Sequence, residues 1–348
     1  MQILENVPLA PMTTLKVGGA ARYFATAVTA ADVRQAVDWA KSRQLSLFVL
    51  GGGSNLVIAD AGFPGLVLQI GISGVERLSE NGKQVLQAGA GVAWDALVAQ
   101  AVAANCAGLE CMSGIPGTVG GTPVQNVGAY GQEVSETIAE VQVLDLRDGR
   151  LRSLCNEACG FAYRSSIFNT GERGRYIILK VAYALQAGGE PTIHYRDLKA
   201  YFASLPAKTR PTLADVREAV RKIRLSKAML IVEGDEDSRS AGSFFKNPVL
   251  DAAEYERVVA SAGGTLPSYP APGGRFKIPA AWLVEHAGFH KGYTRGHVGL
   301  SRKHALAIVN RGGATAAEVI ALQDEIRRAV QEKVGVALLA EPVFVGFE

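Results

Sequence analysis

Six glycines fall within residues 114–131, in the run SGIPGTVGGTPVQNVGAYG. A second cluster, Gly51-Gly52-Gly53-Ser54-Asn55, ends the apolar run Leu47-Phe48-Val49-Leu50. Glycine loses the most conformational freedom on folding, so chains concentrate it where backbone turns tightly or lies against a ligand. Two such clusters point to a large, flat or phosphorylated ligand held by main-chain N–H groups. A set of tight turns in a β-rich region is the plainer alternative. Two common phosphate patterns are excluded. GxxxxGK[ST] does not occur, so there is no Walker-type loop. GxGxxG fails as well: Gly51-Gly52-Gly53 reaches Leu56 where a glycine is required, and Gly89-Ala90-Gly91 reaches Trp94.

Other residue types carry chemistry of their own. Arg164 lies in Phe161-Ala162-Tyr163-Arg164-Ser165-Ser166. A guanidinium is permanently charged and can grip a carboxylate with two N–H groups, or it can serve a surface salt bridge. Ser243 lies in Ala241-Gly242-Ser243-Phe244-Phe245-Lys246-Asn247-Pro248, and the commonest fate of such a hydroxyl is a turn bond to backbone. Glu341 interrupts the apolar stretch 336–345. A carboxylate there is costly unless paired or functional, although Pro342 also allows a solvent-facing edge or bulge. Cys106, Cys111, Cys155 and Cys159 have C-x4-C and C-x3-C spacing with no histidine nearby, which favours buried free thiols over zinc. His286 and His290 form H-x3-H without an evident third ligand, so no metal is expected.

These residues need elements to hold them. Residues 13–19 read as a strand entering a turn. Thr29, with Asp32 three positions on, begins a helix with Val33, Val37 and Ala40 on its apolar face. A strand over 45–50 then leads into the first glycine loop, giving an α/β beginning. Strands are expected over 66–70, 84–88, 139–146 and 176–185, interrupted by a helix over 93–104. Asp148-Gly149 marks a hairpin turn. Residues 206–211 read as a linker. Thr212 and Asp215 cap a helix bearing Arg217, Arg221 and Arg224, with Lys227 nearby, either a solvated face or one turned to an anion. Helices near 251–260, 280–286 and 314–334 precede an apolar strand over 336–347.

Composition narrows the function. The 348 residues suffice for two or three domains. The formal charge of +3, with no dense Lys/Arg run, argues against nucleic acid. No stretch approaches the roughly 20 apolar residues of a membrane span, and the start lacks a basic region followed by an apolar one. A cytoplasmic protein without membrane insertion is expected.

Four strings occur in order: GGGSN, GIPGTVGG with PVQNVGAYG, FAYRSSIF and AGSFFKNP. Together they resemble the UDP-N-acetylenolpyruvoylglucosamine reductase family over residues 13–346, in the subgroup with a substrate-closing tyrosine. The resemblance implies an α+β chain: a two-part FAD-binding fold of the vanillyl-alcohol-oxidase/PCMH type plus a C-terminal α/β substrate-binding domain. Its parts would be residues 1–70 joined by strand 335–348, residues 71–208, and residues 212–334. It implies non-covalent FAD, NADPH as electron donor, and UDP-N-acetylglucosamine enolpyruvate as the substrate reduced to UDP-N-acetylmuramate. A monomer is favoured over an oligomer.

The implied chemistry sends hydride from flavin N5 to the enolpyruvyl methylene, while negative charge spreads into the adjacent carboxylate. The resemblance implies Arg164, Ser243 and Glu341 as catalytic residues, with Ser243 as proton donor. It implies Gly51, Gly52, Gly53, Ser54, Asn55, Gly114, Ile115, Pro116, Gly117, Thr118, Gly120 and Gly121 around the cofactor. Tyr195, Lys227, Asn247, Lys291 and His304 would face the substrate. The chain departs from the family's pattern over 228–240, which is longer and more acidic, so Glu233, Asp235, Glu236 or Asp237 could neutralise Lys227. Pro342-Val343 stands where Val-Arg is usual, and a changed strand pairing beside Glu341 is expected.

Overall fold

The computed structural model describes every residue except 81–82, 206–209, 265 and 348, so most of the expected 206–211 linker lies outside the described residues. The chain forms two compact units: Met1–Val7, Ala21–Gly53 and Pro64–Leu230 in the first, and Pro8–Ala20, Ser54–Phe63 and Ile231–Glu348 in the second.

In the first unit, a four-stranded sheet has the order Leu4–Pro8, Ala20–Ala27, Phe63–Ile70, Leu47–Leu50, with the last two parallel and Leu47 opposite Leu66. Helix α1 (Ala30–Ser42) starts at a complete capping box between Thr29 and Asp32, and buries Val33, Ala36, Val37 and Ala40. The second sheet is antiparallel. Its order is Leu151–Cys155, Ile138–Asp145, Tyr176–Ala187, Lys83–Gly89, Val75–Glu80, and Cys106–Ala107 pairs with the end of the long strand. Helix α2 (Trp94–Ala103) covers it with Trp94, Leu97, Val98 and Ala101. The Trp94 ring lies 5.6 Å from that of Tyr183, and Trp94 Nε1–H donates to Met112 O at 3.1 Å. This fixes the chain just before the long glycine run to the core.

Helix α3 (Arg196–Ala203) has no counterpart in the sequence reading; only eight residues long, it lacks a side-chain cap. Helix α4 (Leu213–Ser226) begins at the expected Thr212–Asp215 capping box. Leu198 of α3 packs with Val216, Ala219 and Val220 of α4 against Cys111.

The second unit is built around helices α5 (Ala252–Ser261), α6 (Ala280–His286) and α7 (Ala316–Val334). Two small antiparallel sheets accompany them, Val249–Leu250, Arg275–Lys277, Tyr269–Ala271 and Thr294–Arg295, Val298–Leu300, Ile308–Asn310. Two expected strands are corrected. Residues 13–19 bury Leu15 and Val17, but positive φ at Lys16 (59°) and Gly18 (112°) breaks the extended backbone. Of 336–347 only Val343–Val345 is a strand, parallel to Leu56–Ile58. Gly335, at φ 73°, ends α7 in the left-handed region, and Val336 and Leu338 then tuck into the core without ladder bonds. Among the described residues no helix is long and apolar enough to cross a membrane.

Candidate active site

The two glycine clusters meet. A Cβ on Gly52 would lie 2.5 Å from Gly117 Cα, and one on Gly51 would lie 3.1 Å from Thr118 Oγ1. Gly117 itself has φ +123°, so only glycine on both sides permits this approach. The other glycines do different work. A Cβ on Gly120 would press on Ala90 at 2.7 Å, whereas Gly121 faces open space. Ile115 and Pro116 are half-buried beside the loop. Thr122 Oγ1 and the buried Tyr183 hydroxyl share a 2.6 Å hydrogen bond that fastens the loop's far end to the sheet. Thr118 Oγ1 is buried and has no hydrogen-bond partner among the described residues. A buried, unpaired hydroxyl is costly. Its place in a bare-backbone cradle fits a ligand rich in phosphate or carbonyl acceptors, as FAD is.

Asp95 holds the other end of that loop. Its carboxylate accepts the Gly114 N–H at 2.6 Å, two bonds from Arg217 at 2.6 and 2.9 Å, and one from Arg221 at 2.7 Å. Burial raises its pKa, but the Arg217 and Gly114 hydrogen bonds and the charges of Arg217 and Arg221 outweigh that, and it titrates below the usual carboxylate range. The arginines of α4 therefore face a protein carboxylate. Arg224 is buried and donates to Met229 O, and desolvation pulls its pKa down.

Arg164 sits in a tight turn closed by Ala162 N–H to Ser165 O and Ser165 N–H to Ala162 O, both 3.0 Å. Its φ is 52°, a conformation that L-residues other than Asn and Asp rarely adopt. Its Nη2 donates to Gly128 O at 2.9 Å.

Ser243 and Glu341 both lie in the second unit, and the backbone brings their segments together. Phe245 pairs with Ala340 antiparallel, the Glu341 N–H donates to Phe244 O at 2.9 Å, and the Lys246 N–H donates to Leu339 O at 2.9 Å. Phe244 and Phe245 are buried anchors, while Ser243 and Glu341 remain half-exposed. Asn55, expected at the cofactor, donates its Nδ2–H to Glu341 O at 3.2 Å and accepts the Val343 N–H on its own backbone carbonyl at 2.9 Å. Ser54 O accepts the Thr14 hydroxyl at 3.3 Å.

The expected substrate residues fall in both units. In the first, Tyr195 is exposed with its ring edge-on to Tyr130 at 5.4 Å, and Lys227 Nζ lies 6.0 Å from the Tyr130 ring. Lys227 pairs with Asp197, which corrects the expectation that the acidic segment neutralises it. Asp235 pairs with Lys303 at 2.9 Å, Glu236 with Arg302 at 3.8 Å, and buried Asp237 with Arg302 at 2.8 Å. In the second unit, Asn247 Oδ1 accepts the Ala280 N–H at the start of α6 (2.9 Å), His304 Nδ1 accepts the Leu306 N–H (3.1 Å), and Lys291 is exposed.

His286 stacks on Trp282 at 4.4 Å, and among the described residues no group of three His, Cys, Asp or Glu could hold a metal. Cys106, Cys111 and Cys159 are buried free thiols as expected, but Cys155 is exposed. Asp95 was missed because its partners lie 19 and 122 or more positions away.

The model of an FAD-binding domain matches residues 21–154, the stretch that contains both glycine clusters. The fold and cradle define an FAD-binding oxidoreductase with a second, α/β unit. The model of the UDP-N-acetylenolpyruvoylglucosamine reductase C-terminal domain matches residues 235–345. The chain is 46% identical to the UDP-N-acetylenolpyruvoylglucosamine reductase of Thermobifida fusca, covering 98% of each, and 44% identical to that of Streptomyces coelicolor, covering 99% of this chain and 91% of the other. It also resembles the solved structure of the Thermus caldophilus reductase, with TM-score 0.68 and 27% identity over 99% of both chains. The chain belongs to the UDP-N-acetylenolpyruvoylglucosamine reductase family.

Proposed function

We infer that this protein reduces UDP-N-acetylglucosamine enolpyruvate to UDP-N-acetylmuramate with NADPH, in the supply of peptidoglycan precursors. The observation that carries the reading is the backbone pairing of the AGSFFKNP segment with the segment of Glu341, inside the region matched by the reductase C-terminal domain. FAD would lie on Gly51, Gly52, Gly53, Gly114, Ile115, Pro116, Gly117 and Thr118, and when bound it supplies hydride transfer from NADPH to the enolpyruvyl methylene.

The chain's own residues handle charge and proton. The Arg164 guanidinium grips the substrate carboxylate as negative charge grows there. The Ser243 hydroxyl gives its proton to the adjacent carbon, and Glu341 beside it assists the protonation. Tyr195, Lys227, Asn247, Lys291 and His304 serve the nucleotide sugar. By task, residues 1–70 with the returning strand and 71–208 bind FAD, and 212–334 bind the sugar nucleotide. We place this chemistry in the cytoplasm, on a monomer, with no nucleic-acid partner.

Incubation with NADPH and the enolpyruvyl nucleotide should consume one NADPH per substrate and give a product heavier by two hydrogens. NADPH consumption that leaves the nucleotide's mass unchanged overturns the reading.

A further inference from the structure

The cradle accounts for the first half of the glycine run and leaves its second half, PVQNVGAYG, without a task. Asn126 is only 1% exposed and has φ 44°. Its Nδ2 donates to Glu133 Oε2 at 2.8 Å and to Ala162 O at 3.1 Å, and its Oδ1 accepts the Ser135 N–H at 3.1 Å. Ala162 O is the same carbonyl that receives the Ser165 N–H and so closes the turn carrying Arg164. Two residues on, Gly128 O takes the Arg164 guanidinium, and two residues before, Val124 O takes the Ser166 hydroxyl at 2.8 Å. Alternate residues of one segment thus grip the turn before, at and after Arg164.

Arg164 needs such a frame. Its left-handed backbone is unfavourable for an L-residue, and a conformation of this kind persists only where its surroundings over-determine it. An arginine side chain has much rotamer freedom to lose, and its bond to Gly128 O joins the guanidinium to the same segment that holds the turn. Asn126 tolerates the left-handed region better than most residues and places a short, stiff amide on the turn's closing carbonyl.

We propose that Asn126 is a positioning residue for Arg164: its amide fixes the Ala162–Ser165 turn so that the guanidinium meets the substrate carboxylate in one place. The inference rests on the reading of Arg164 as the carboxylate grip. A group misplaced by about 1 Å can lose on the order of 10²-fold in rate.

The test uses the FAD-loaded enzyme carrying Asn126→Gly, Arg164→Ala or both. Glycine removes the amide while accepting the positive φ. Four quantities are measured: FAD content, melting temperature, the anaerobic rate of flavin reduction by NADPH, and the rate of reoxidation by the enolpyruvyl nucleotide. Asn126→Gly should keep FAD and the reduction rate, and slow reoxidation at least about 10-fold. Arg164→Ala should slow reoxidation further, and adding Asn126→Gly to it should change nothing more. The same loss in both backgrounds, or no loss in either, overturns the positioning role. Normal reoxidation in Arg164→Ala alone overturns the reading of Arg164 itself. If Asn126→Gly does not retain FAD, Asn126→Asp decides. That variant keeps the Ser135 acceptor and can donate to Ala162 O only when protonated, so its reoxidation rate relative to the parent should recover as pH falls. A flat ratio across pH overturns the proposal.

Discussion

A serine hydroxyl is a weak acid in water, so the proton-donor role proposed for Ser243 depends on its surroundings. Its neighbours Phe244 and Phe245 are anchored in the core, so the hydroxyl is carried on backbone that cannot drift from the Glu341 segment. Ser243→Ala should leave reduction of the flavin by NADPH within about twofold and cut turnover of the sugar nucleotide by about 10²–10⁴-fold, the usual worth of a positioned acid. Stopped-flow measurement of the two half-reactions separates them; equal loss in both removes Ser243 from the role. Thr118 makes a different prediction. Its buried, unpartnered hydroxyl is without gain in the apoprotein, so Thr118→Val should leave apoprotein stability unchanged or higher. FAD should bind about 3–10-fold more weakly, the equivalent of one hydrogen bond, by fluorescence titration. Unchanged FAD affinity would place that hydroxyl outside the cofactor site. Residue types alone suggested Arg164 and Glu341 as chemically loaded. Asn247 and Asn55 were harder, since nothing in an asparagine's sequence context tells whether its amide meets ligand, a helix start or a neighbouring carbonyl.

At the scale of elements, α4 is tied to the long glycine loop through one carboxylate. Asp95 joins the Gly114 N–H to Arg217 and Arg221, so the helix and the loop share a single charged knot. Its carboxyl titrates below the unfolded value of about 3.9, so its contribution is complete above that value and is lost as pH falls through the lower folded one. Asp95→Asn should therefore lower the melting temperature by a few degrees at pH 7, and the gap to the parent should narrow as pH falls below the unfolded value. A gap constant with pH would assign the loss to packing. Helix α4 itself was legible from Thr212, Asp215 and its apolar stripe, and so were α1, α2 and most of the antiparallel strands. The strand reading of residues 13–19 captured a real alternation, since Leu15 and Val17 are buried, but could not see that Lys16 and Gly18 turn the backbone. Helix α3 is short and uncapped, and a periodicity spread over eight residues gives too little signal.

Over the whole molecule, the sequence carries its function in four short strings whose order matters more than any one of them. The glycine run divides in two: Gly117 and Thr118 lie against Gly51 and Gly52, while residues 124–128 bond the turn of Arg164. Spacing could not divide them, because the division depends on which strand and turn each half meets. Membership of the reductase family rests on 46% identity along 98% of the chain, and the proposed reaction requires that NADPH and the sugar nucleotide act in turn through one bound flavin. The direct test is anaerobic spectroscopy of the FAD-loaded protein. NADPH should bleach the visible flavin band, and UDP-N-acetylglucosamine enolpyruvate added afterwards should restore it without oxygen. A bleached flavin that the nucleotide leaves unchanged, but that oxygen reoxidises quickly, would contradict the account.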